Sequence, residues 1–286
     1  MKVLVTGAAG QLGHDVMAEL ARRGHEAVGT DLPQMDITDG EACLREIGRI
    51  RPDAVMHCAA FTAVDAAEDR EDVCRAVNAG GTRNIALACR ETGCRMMYIS
   101  TDYVFSGAGE EPWQAECMDF APQNVYGRTK LEGENAVRAL LERYFIVRIA
   151  WVFGKNGGNF VRTMLRVGKT HDTLRVVCDQ IGTPTYTADL ARLLCDMIET
   201  ERYGTYHATN EGGYISWHEF ACEIFRQAGM AVSVVPVTTQ EYGLSRAARP
   251  MNSRLDKRAL GENGFVPLPH WKDALARYLE EIKESK

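Results

Sequence analysis

The sequence predicts an α/β fold, with a doubly wound parallel sheet followed by a smaller, mixed C-terminal region. Three observations predict it: apolar runs that alternate with helical segments up to residue 153, a glycine-rich turn after the first run, and a different pattern beyond Gly154. Buried parallel strands are apolar throughout, and each needs a crossover connection before the next. We therefore predict a dinucleotide-binding domain over 1–153, to which parts of 179–204 return, and a mainly substrate-binding region over 154–286.

Composition and charge exclude several classes of protein. The 286 residues suffice for one large or two small domains, and a net charge of −6 argues against a nucleic-acid-binding surface. The chain shows no apolar stretch that could span a bilayer and no signal peptide, so we expect a cytoplasmic protein without a membrane partner. Its nine scattered cysteines lack any Cys-x-x-Cys spacing, which indicates reduced residues rather than a disulfide frame or a zinc site.

A glycine-rich turn, Gly7–Gly13, follows the first predicted strand, Lys2–Thr6, and precedes a helix predicted over His14–Arg23. Glycines let the backbone approach a pyrophosphate, and a helix N-terminus offers amide donors and a favourable dipole. An ordinary glycine-rich turn is the alternative, but the flanking strand and helix favour a nicotinamide dinucleotide. We predict cofactor contacts at Gly7, Gly10, Gln11 and Leu12.

The second predicted strand, Glu26–Thr30, ends at Asp31. A carboxylate there accepts hydrogen bonds from ribose hydroxyls and repels a 2′-phosphate, which favours NADH over NADPH without deciding between them. Asp36 and Ile37 follow a short loop, and a resemblance to extended short-chain dehydrogenase/reductases, which carry Asp-Ile or Asp-Leu at this point, implies that they contact the adenine. The alternative for Asp36 is a strand-end or N-cap residue before the helix predicted to begin at Asp39.

Two further predicted strands, Pro52–His57 and Arg95–Ser100, are each followed by residues that suit a ligand. Small residues after the first strand allow close backbone approach, and we predict cofactor contacts at Ala59, Ala60 and Thr62. Thr101 follows the second strand, where its hydroxyl could bond a substrate carbonyl oxygen or only cap the loop. One continuous helix, Asp72–Thr92, is predicted between the two strands.

Tyr126 and Lys130 stand one turn apart on a predicted helix that continues through Val137. An ammonium near the phenol would lower its pKa from about 10, so that the pair could exchange a proton with a substrate oxygen. A surface pair at helical spacing by chance is the alternative.

The C-terminal region mixes short strands and helices without a linker rich in Gly, Pro or Ser, so we expect it to pack closely on the first domain. The predicted elements after the strand Phe145–Ile149 are helices over 160–167, 188–200, 216–228 and 271–283, and strands over 174–178, 204–208 and 232–236. Ser216 and Glu219 have the capping-box spacing.

Taken in order, these motifs resemble the extended short-chain dehydrogenase/reductases, which have a Rossmann-like fold. The matching segments span nearly the whole chain: Thr6–Gly13, Ala59–Asp65, Ser100–Phe105, Tyr126–Lys130, Arg148–Phe153, Asp179–Thr185 and Arg249–Ser253. The resemblance implies reduction, by NADH or NADPH, of the 4-keto group of a nucleotide-linked 4-keto-6-deoxy sugar, with dTDP-4-dehydro-6-deoxy-L-mannose as the expected substrate.

The resemblance also assigns residues. Tyr126 gives the proton to the reduced oxygen, Lys130 holds the nicotinamide ribose and Thr101 bonds the same oxygen. Asn78 either steadies the active-site backbone or faces solvent. The expected substrate contacts are Thr101, Asp102, Val104, Trp151 and Arg249, the last of these with the diphosphate.

Other expectations stay open. Tyr103 follows Thr101-Asp102 where dehydratases of the superfamily carry a glutamate base, so dehydration is disfavoured. No metal is expected, although Mg²⁺ at a homodimer interface is known among relatives; the weak candidates are Asp15 and Asp189, with Glu280 or Glu281 near the C-terminus. A reductase for another keto-sugar nucleotide, or a dinucleotide-binding regulatory subunit similar to the methionine adenosyltransferase beta subunit, are the alternatives.

Overall fold

The computed structural model describes residues 1–284, and helices and strands alternate through it. The strands are β1 Lys2–Thr6, β2 Glu26–Thr30, β3 Ala54–His57, β4 Arg95–Thr101, β5 Tyr144–Ile149, β6 Val152–Phe153, β7 Thr173–Val177, β8 Ile181–Gly182, β9 Thr185–Tyr186, β10 Gly204–His207, β11 Ile215–Ser216 and β12 Ser233–Val237. The α-helices are α1 Gln11–Arg22, α2 Gly40–Ile50, α3 Val64–Asp69, α4 Glu71–Arg75, α5 Thr82–Thr92, α6 Val125–Leu140, α7 Phe160–Val167, α8 Thr187–Ile198, α9 Trp217–Ala228, α10 Thr239–Tyr242, α11 Arg258–Glu262 and α12 Trp271–Glu284. No helix within residues 1–284 has the length and apolar character needed to cross a bilayer.

Six of these strands form one parallel sheet in the order β10-β5-β4-β3-β1-β2. Buried apolar side chains cover both faces of the sheet, α1 and α8 on one face and α2 and α5 on the other. The predicted α/β, Rossmann-like, doubly wound fold is therefore confirmed. The order reverses beside β1, which places a crevice above the carboxyl ends of β1, β3 and β4.

The chain returns to this sheet late. Helix α8 packs against α1, and β10 pairs in parallel with β5, joining Gly204 to Phe145 and His207 to Arg148. The part of the chain that returns to the sheet therefore extends beyond residue 204, the boundary predicted from the sequence. Helices α7, α9 and α12 pack around an aromatic cluster of Phe153, Phe220 and Tyr278. The division into two domains stays a prediction.

The helix predicted over Asp72–Thr92 is not continuous, so that prediction was wrong in detail. It begins at Glu71 and contains a π-helical segment, Ala76–Gly81, between α4 and α5. A π-bulge adds a residue to one turn and often marks a functional site. Smaller differences are the start of α1 at Gln11 rather than His14 and the two short strands, β8 and β9, inside the loop expected over 179–185.

A buried ion pair fixes α6 to the sheet. Both carboxylate oxygens of Glu134 accept hydrogen bonds from the Arg148 guanidinium, each at 2.9 Å, and both side chains are fully buried. Arg138 donates a further bond of 2.6 Å to Glu134, and Arg148 also donates to the Ala115 carbonyl oxygen at 3.1 Å. Burial alone would raise the pKa of Glu134, but the bonds and charge of Arg148 lower it instead.

Replacing Glu134 by alanine should destabilise the protein strongly, because the Arg148 charge would then be buried without its partner. We expect the free energy of unfolding to fall by about 3–5 kcal/mol, measured by urea denaturation. Arg49→Ala, which breaks the exposed Arg49–Glu46 pair of α2, is the control and should change it little. Similar losses in the two variants would contradict this account.

Candidate active site

A cleft of about 960 Å³ opens above the carboxyl ends of the central strands. The residues predicted to contact cofactor or substrate that line it are Gly7, Gly10, Gln11, Leu12, Asp31, Asp36, Ile37, Ala59, Ala60, Thr62, Thr101, Asp102, Tyr126, Lys130, Trp151 and Arg249. Val104 is the exception. Its side chain is fully buried in a cluster with Phe105 and Leu255 and does not line the cleft, because it belongs to the 3₁₀ turn Asp102–Val104, which points it into the core.

The glycine turn has the shape that a diphosphate needs. Gly7 has a φ of +68°, and a Cβ there would lie 2.7 Å from the Ala59 backbone nitrogen. A Cβ at Gly13 would collide with the Gly7 carbonyl, so glycine also permits the close approach of α1 to the turn. No side chain caps α1 at Gly10, which leaves the amides of its first turn for an anionic ligand. The residues present therefore fit a dinucleotide.

Two carboxylates lie at the adenosine end expected for this cleft. Asp31 accepts a 2.6 Å hydrogen bond from the Ala9 backbone nitrogen, so it both fixes the glycine turn and presents its charge to the cleft. Asp36 accepts bonds from the backbone and hydroxyl of Thr38, which lower the pKa of its carboxyl. The N-cap of α2 is Asp39, so the N-cap alternative for Asp36 is wrong.

Tyr126 and Lys130 both lie on α6, whose N-cap, Asn124, accepts a 2.8 Å bond from the Gly127 backbone nitrogen. Burial, followed by the negative charge of Asp102, raises the pKa of Tyr126, while a hydrogen bond with Thr101 acts the other way. The expectation that Lys130 lowers the pKa of Tyr126 is not met, because burial has the larger effect. A buried tyrosine with a raised pKa stays protonated at neutral pH and can act as an acid.

The Lys130 ammonium contacts strand β4. It donates a 2.7 Å bond to the Ile99 carbonyl oxygen and lies 4.1 Å from the centre of the Tyr98 ring. Burial lowers the pKa of Lys130 to about 7, although the Glu134 carboxylate one turn further along α6 acts to raise it. In the same cleft, burial raises the pKa of Asp102 to about 6.

Asn78 lies in the π-helical segment and is buried, which excludes the solvent-facing alternative. Its side-chain oxygen accepts a 2.8 Å bond from the Phe61 nitrogen, and its amide donates to the Phe61 oxygen at 3.2 Å. It also donates to Thr129 of α6 at 3.2 Å. Asn78 thus joins the 58–62 segment to the helix that carries Tyr126, and the bulge orients its side chain between them.

The substrate side of the cleft is aromatic and contains residues that the sequence did not reveal. Trp151 has a φ of +50°, unusual for a bulky side chain, and stacks on Trp217 with ring centres 3.7 Å apart. Trp217 and Phe160 also line the cleft. The capping box before Trp217 is present as predicted, but helix signals do not tell which way the first side chain of α9 points.

Arg249 lies on the same side of the cleft, and the two terminal nitrogens of its guanidinium have different surroundings. One terminal nitrogen pairs with Asp65 at 2.7 Å, and the other, Nη1, is buried without a hydrogen-bond partner among the described residues.

Two of the metal candidates, Asp15 and Asp189, are engaged by contacts within the chain. Asp189 is bound in bidentate fashion by Arg277, at 2.8 and 2.7 Å, and also accepts a bond from Asn210. Asp15 accepts a hydrogen bond from Thr187. Within residues 1–284, no cluster of three or more His, Cys, Asp or Glu side chains could hold a metal ion.

A Rossmann-like sheet, a glycine turn and a Tyr-x-x-x-Lys pair in one cleft define the short-chain dehydrogenase/reductase class. Within it, residues 1–284 match the model of the RmlD substrate-binding domain, and the chain belongs to that family.

Named relatives resemble the chain over nearly its whole length. The chain is 41% identical over 280 residues to the spore coat polysaccharide biosynthesis protein SpsK of Bacillus subtilis (98% of this chain, 97% of the relative). It is 43% identical over 278 residues to the dTDP-4-dehydrorhamnose reductase of Streptomyces griseus (95% of this chain, 91% of the relative). The solved dTDP-4-dehydrorhamnose reductase of Bacillus anthracis, in complex with NADP, superposes with a TM-score of 0.94 at 44% identity (98% of this chain, 100% of the other).

Asp31→Asn should shift cofactor preference towards NADPH, because the amide keeps an oxygen for the Ala9 nitrogen but removes the charge that repels a 2′-phosphate. We expect the ratio of the NADPH to the NADH affinity to rise roughly tenfold, measured by fluorescence titration. Glu26→Gln on the exposed edge of β2 is the control. An unchanged ratio would show that Asp31 does not discriminate.

Lys130→Met should alter the dependence of stability on pH. Since the folded pKa of Lys130 is about 7 against 10.5 for the free side chain, the unfolded chain binds more protons between these values. The wild type therefore gains stability as pH rises from 7 to 9, and the variant lacks this gain. We expect the difference in unfolding free energy between wild type and variant to change by roughly 1–3 kcal/mol between these two pH values, measured by urea unfolding. Parallel pH profiles would contradict the lowered pKa.

Proposed function

We propose that this protein is an NAD(P)H-dependent dTDP-4-dehydrorhamnose reductase, which reduces the 4-keto group of dTDP-4-dehydro-6-deoxy-L-mannose to give dTDP-L-rhamnose. The observation that carries the proposal is one cleft that combines the glycine turn, the Thr101–Tyr126–Lys130 group and an aromatic wall at Trp151. Family membership over residues 1–284 and the names of relatives at 43–44% identity support it.

When bound, the nicotinamide cofactor supplies the hydride for the carbonyl carbon. Tyr126 is protonated at neutral pH and would donate its proton to the carbonyl oxygen. Thr101 lines the same cleft, with its hydroxyl bonded to Asp102 at 2.9 Å, and would hold the same oxygen. Lys130 binds the nicotinamide ribose and supplies positive potential to the site, which the nearby Glu134 carboxylate helps to maintain.

The rest of the cleft divides between the two ligands. The cofactor diphosphate is held by Gly7, Gly10, Gln11 and Leu12. The adenosine ribose is held by Asp31, and the adenine contacts Asp36 and Ile37. The part of the cofactor nearest the nicotinamide contacts Ala59, Ala60 and Thr62. Asp102, Trp151 and Arg249 contact the nucleotide sugar. The cofactor is NADH or NADPH, and the NADP bound to the B. anthracis protein supports the second.

The cysteines support a reducing compartment. All nine are free, and several are buried, so we propose that the reaction takes place in the cytoplasm, where thiols stay reduced. A homodimer stays a prediction from the resemblance.

Purified protein given dTDP-4-dehydro-6-deoxy-L-mannose should oxidise NADH or NADPH, followed by absorbance at 340 nm. Tyr126→Phe should lower kcat by about 10²–10⁴-fold with little change in cofactor affinity, because it removes the proton donor and leaves the ring in place. Tyr103→Phe, whose ring packs edge-on against Tyr126, is the matched control. Cofactor binding without turnover of this substrate would remove the rhamnose assignment and favour another keto-sugar nucleotide.

A further inference from the structure

A segment of the C-terminal region, residues 246–252, contributes Arg249 to the lining of the cleft and is bound at three points to the N-terminal half of the chain. We call it the strap. The Ala248 carbonyl oxygen accepts a 2.8 Å bond from Asn124, the N-cap of α6. The Asn252 nitrogen donates a 2.8 Å bond to the Gly107 oxygen, and Pro250 packs so closely on Gly107 that a Cβ there would collide with it.

The third attachment is the carboxylate of Asp65, at the start of α3. One of its oxygens accepts the backbone amides of Arg246 at 3.2 Å and Ala247 at 3.1 Å. The other oxygen accepts the 2.7 Å bond from Arg249. The Asp65 side chain thus binds both the backbone of the strap and the guanidinium of Arg249.

This arrangement divides the Arg249 guanidinium between two tasks. Nη2 is committed to Asp65, while Nη1 is buried without a partner among the described residues, although Arg249 lines the cleft. A buried donor without an acceptor is costly, and a ligand oxygen would satisfy it. A guanidinium can serve two acceptors at once because its donors form a rigid fork.

We propose that Asp65 is a positioning residue for substrate: it holds the strap and one edge of Arg249 so that the other edge meets the diphosphate of the nucleotide sugar. The inference rests on the proposed function for the identity of that ligand. Asp65 directly follows Val64, which lines the cleft with Ala59 and Ala60, so the same short segment borders the cofactor and orients the substrate cation.

The effect of Asp65 should appear in substrate binding and not in chemistry. Asp65→Asn keeps an oxygen for the two strap amides but no longer pairs with Arg249, whose long side chain then becomes free to reorient. Ordering such a side chain costs about 0.5–1.5 kcal/mol, so we expect KM for the nucleotide sugar to rise about 2- to 12-fold. The kcat value and the affinity for NADPH should stay unchanged.

Asp69→Asn is the matched control, because Asp69 lies on the same helix and pairs with Arg246 of the strap at an exposed position. It should leave KM unchanged. A kcat loss in Asp65→Asn, weakened NADPH binding, or equal effects of the two variants would overturn the proposal.

Binding of dTDP to the NADP⁺-saturated protein, by calorimetry, tests the proposal without turnover. Asp65→Asn should weaken dTDP binding by a similar factor, and no further loss should follow when it is added to Arg249→Ala. Equal losses in both backgrounds would mean that Asp65 acts by another route.

Arg249→Lys covers the case in which Asp65→Asn folds poorly. The lysine ammonium cannot bond Asp65 and the diphosphate with the rigid fork of a guanidinium, so dTDP binding should weaken although the charge is kept. Unchanged dTDP binding would overturn the proposal that the Arg249 guanidinium bonds Asp65 and the diphosphate at once. If the wild type binds dTDP but reduces no 4-keto sugar, the proposed function falls and the dTDP affinities still decide the role of Asp65. A wild type that binds no dTDP would overturn both.

Discussion

The bidentate pair between Glu134 and Arg148 is the interaction on which the arrangement of the cleft depends. It joins α6, which carries Tyr126 and Lys130, to β5, the sheet strand between β4 and β10. Two buried charges stabilise a fold only when each is fully satisfied, and here Arg138 and the Ala115 carbonyl complete the set. The pair therefore fixes α6 to the sheet. Its carboxylate, Glu134, also places a negative charge one turn from Lys130.

Burial dominates the electrostatics of the reacting groups. It raises the pKa of Tyr126 and lowers that of Lys130, so neither of the two buried side chains favours its ionised form in the protein alone. Lys130 is held by a carbonyl oxygen and an aromatic face rather than by Tyr126. A bound dinucleotide would bring negative phosphates into the same cleft and favour the charged lysine, which links cofactor binding to the electrostatic state of the site.

The sequence predicted those features that depend on local periodicity and on motif spacing. The strands of the sheet, the glycine turn and the i, i+4 relation of Tyr126 and Lys130 all follow from patterns within a few residues. Long-range pairings could not be read in this way. The sequence around Asp65 gives no sign of its contacts with the strap. The capping pattern does not show that Trp217 stacks on Trp151. The π-bulge places Asn78 against the Phe61 backbone, a contact that spacing along the chain does not reveal. The pKa of Tyr126 also depends on burial, which spacing does not reveal.

The late return of the chain to the sheet limits how the cleft can open. After β5 the chain builds β6 and α7 outside the sheet, comes back through α8 and β10, and then leaves again for α9. The substrate side is therefore joined to the sheet by several crossings and not by a single hinge. Rigid-body rotation of one part against the other would strain all of these connections together. We therefore expect ligands to enter and leave through local movements of segments at the edge of the cleft.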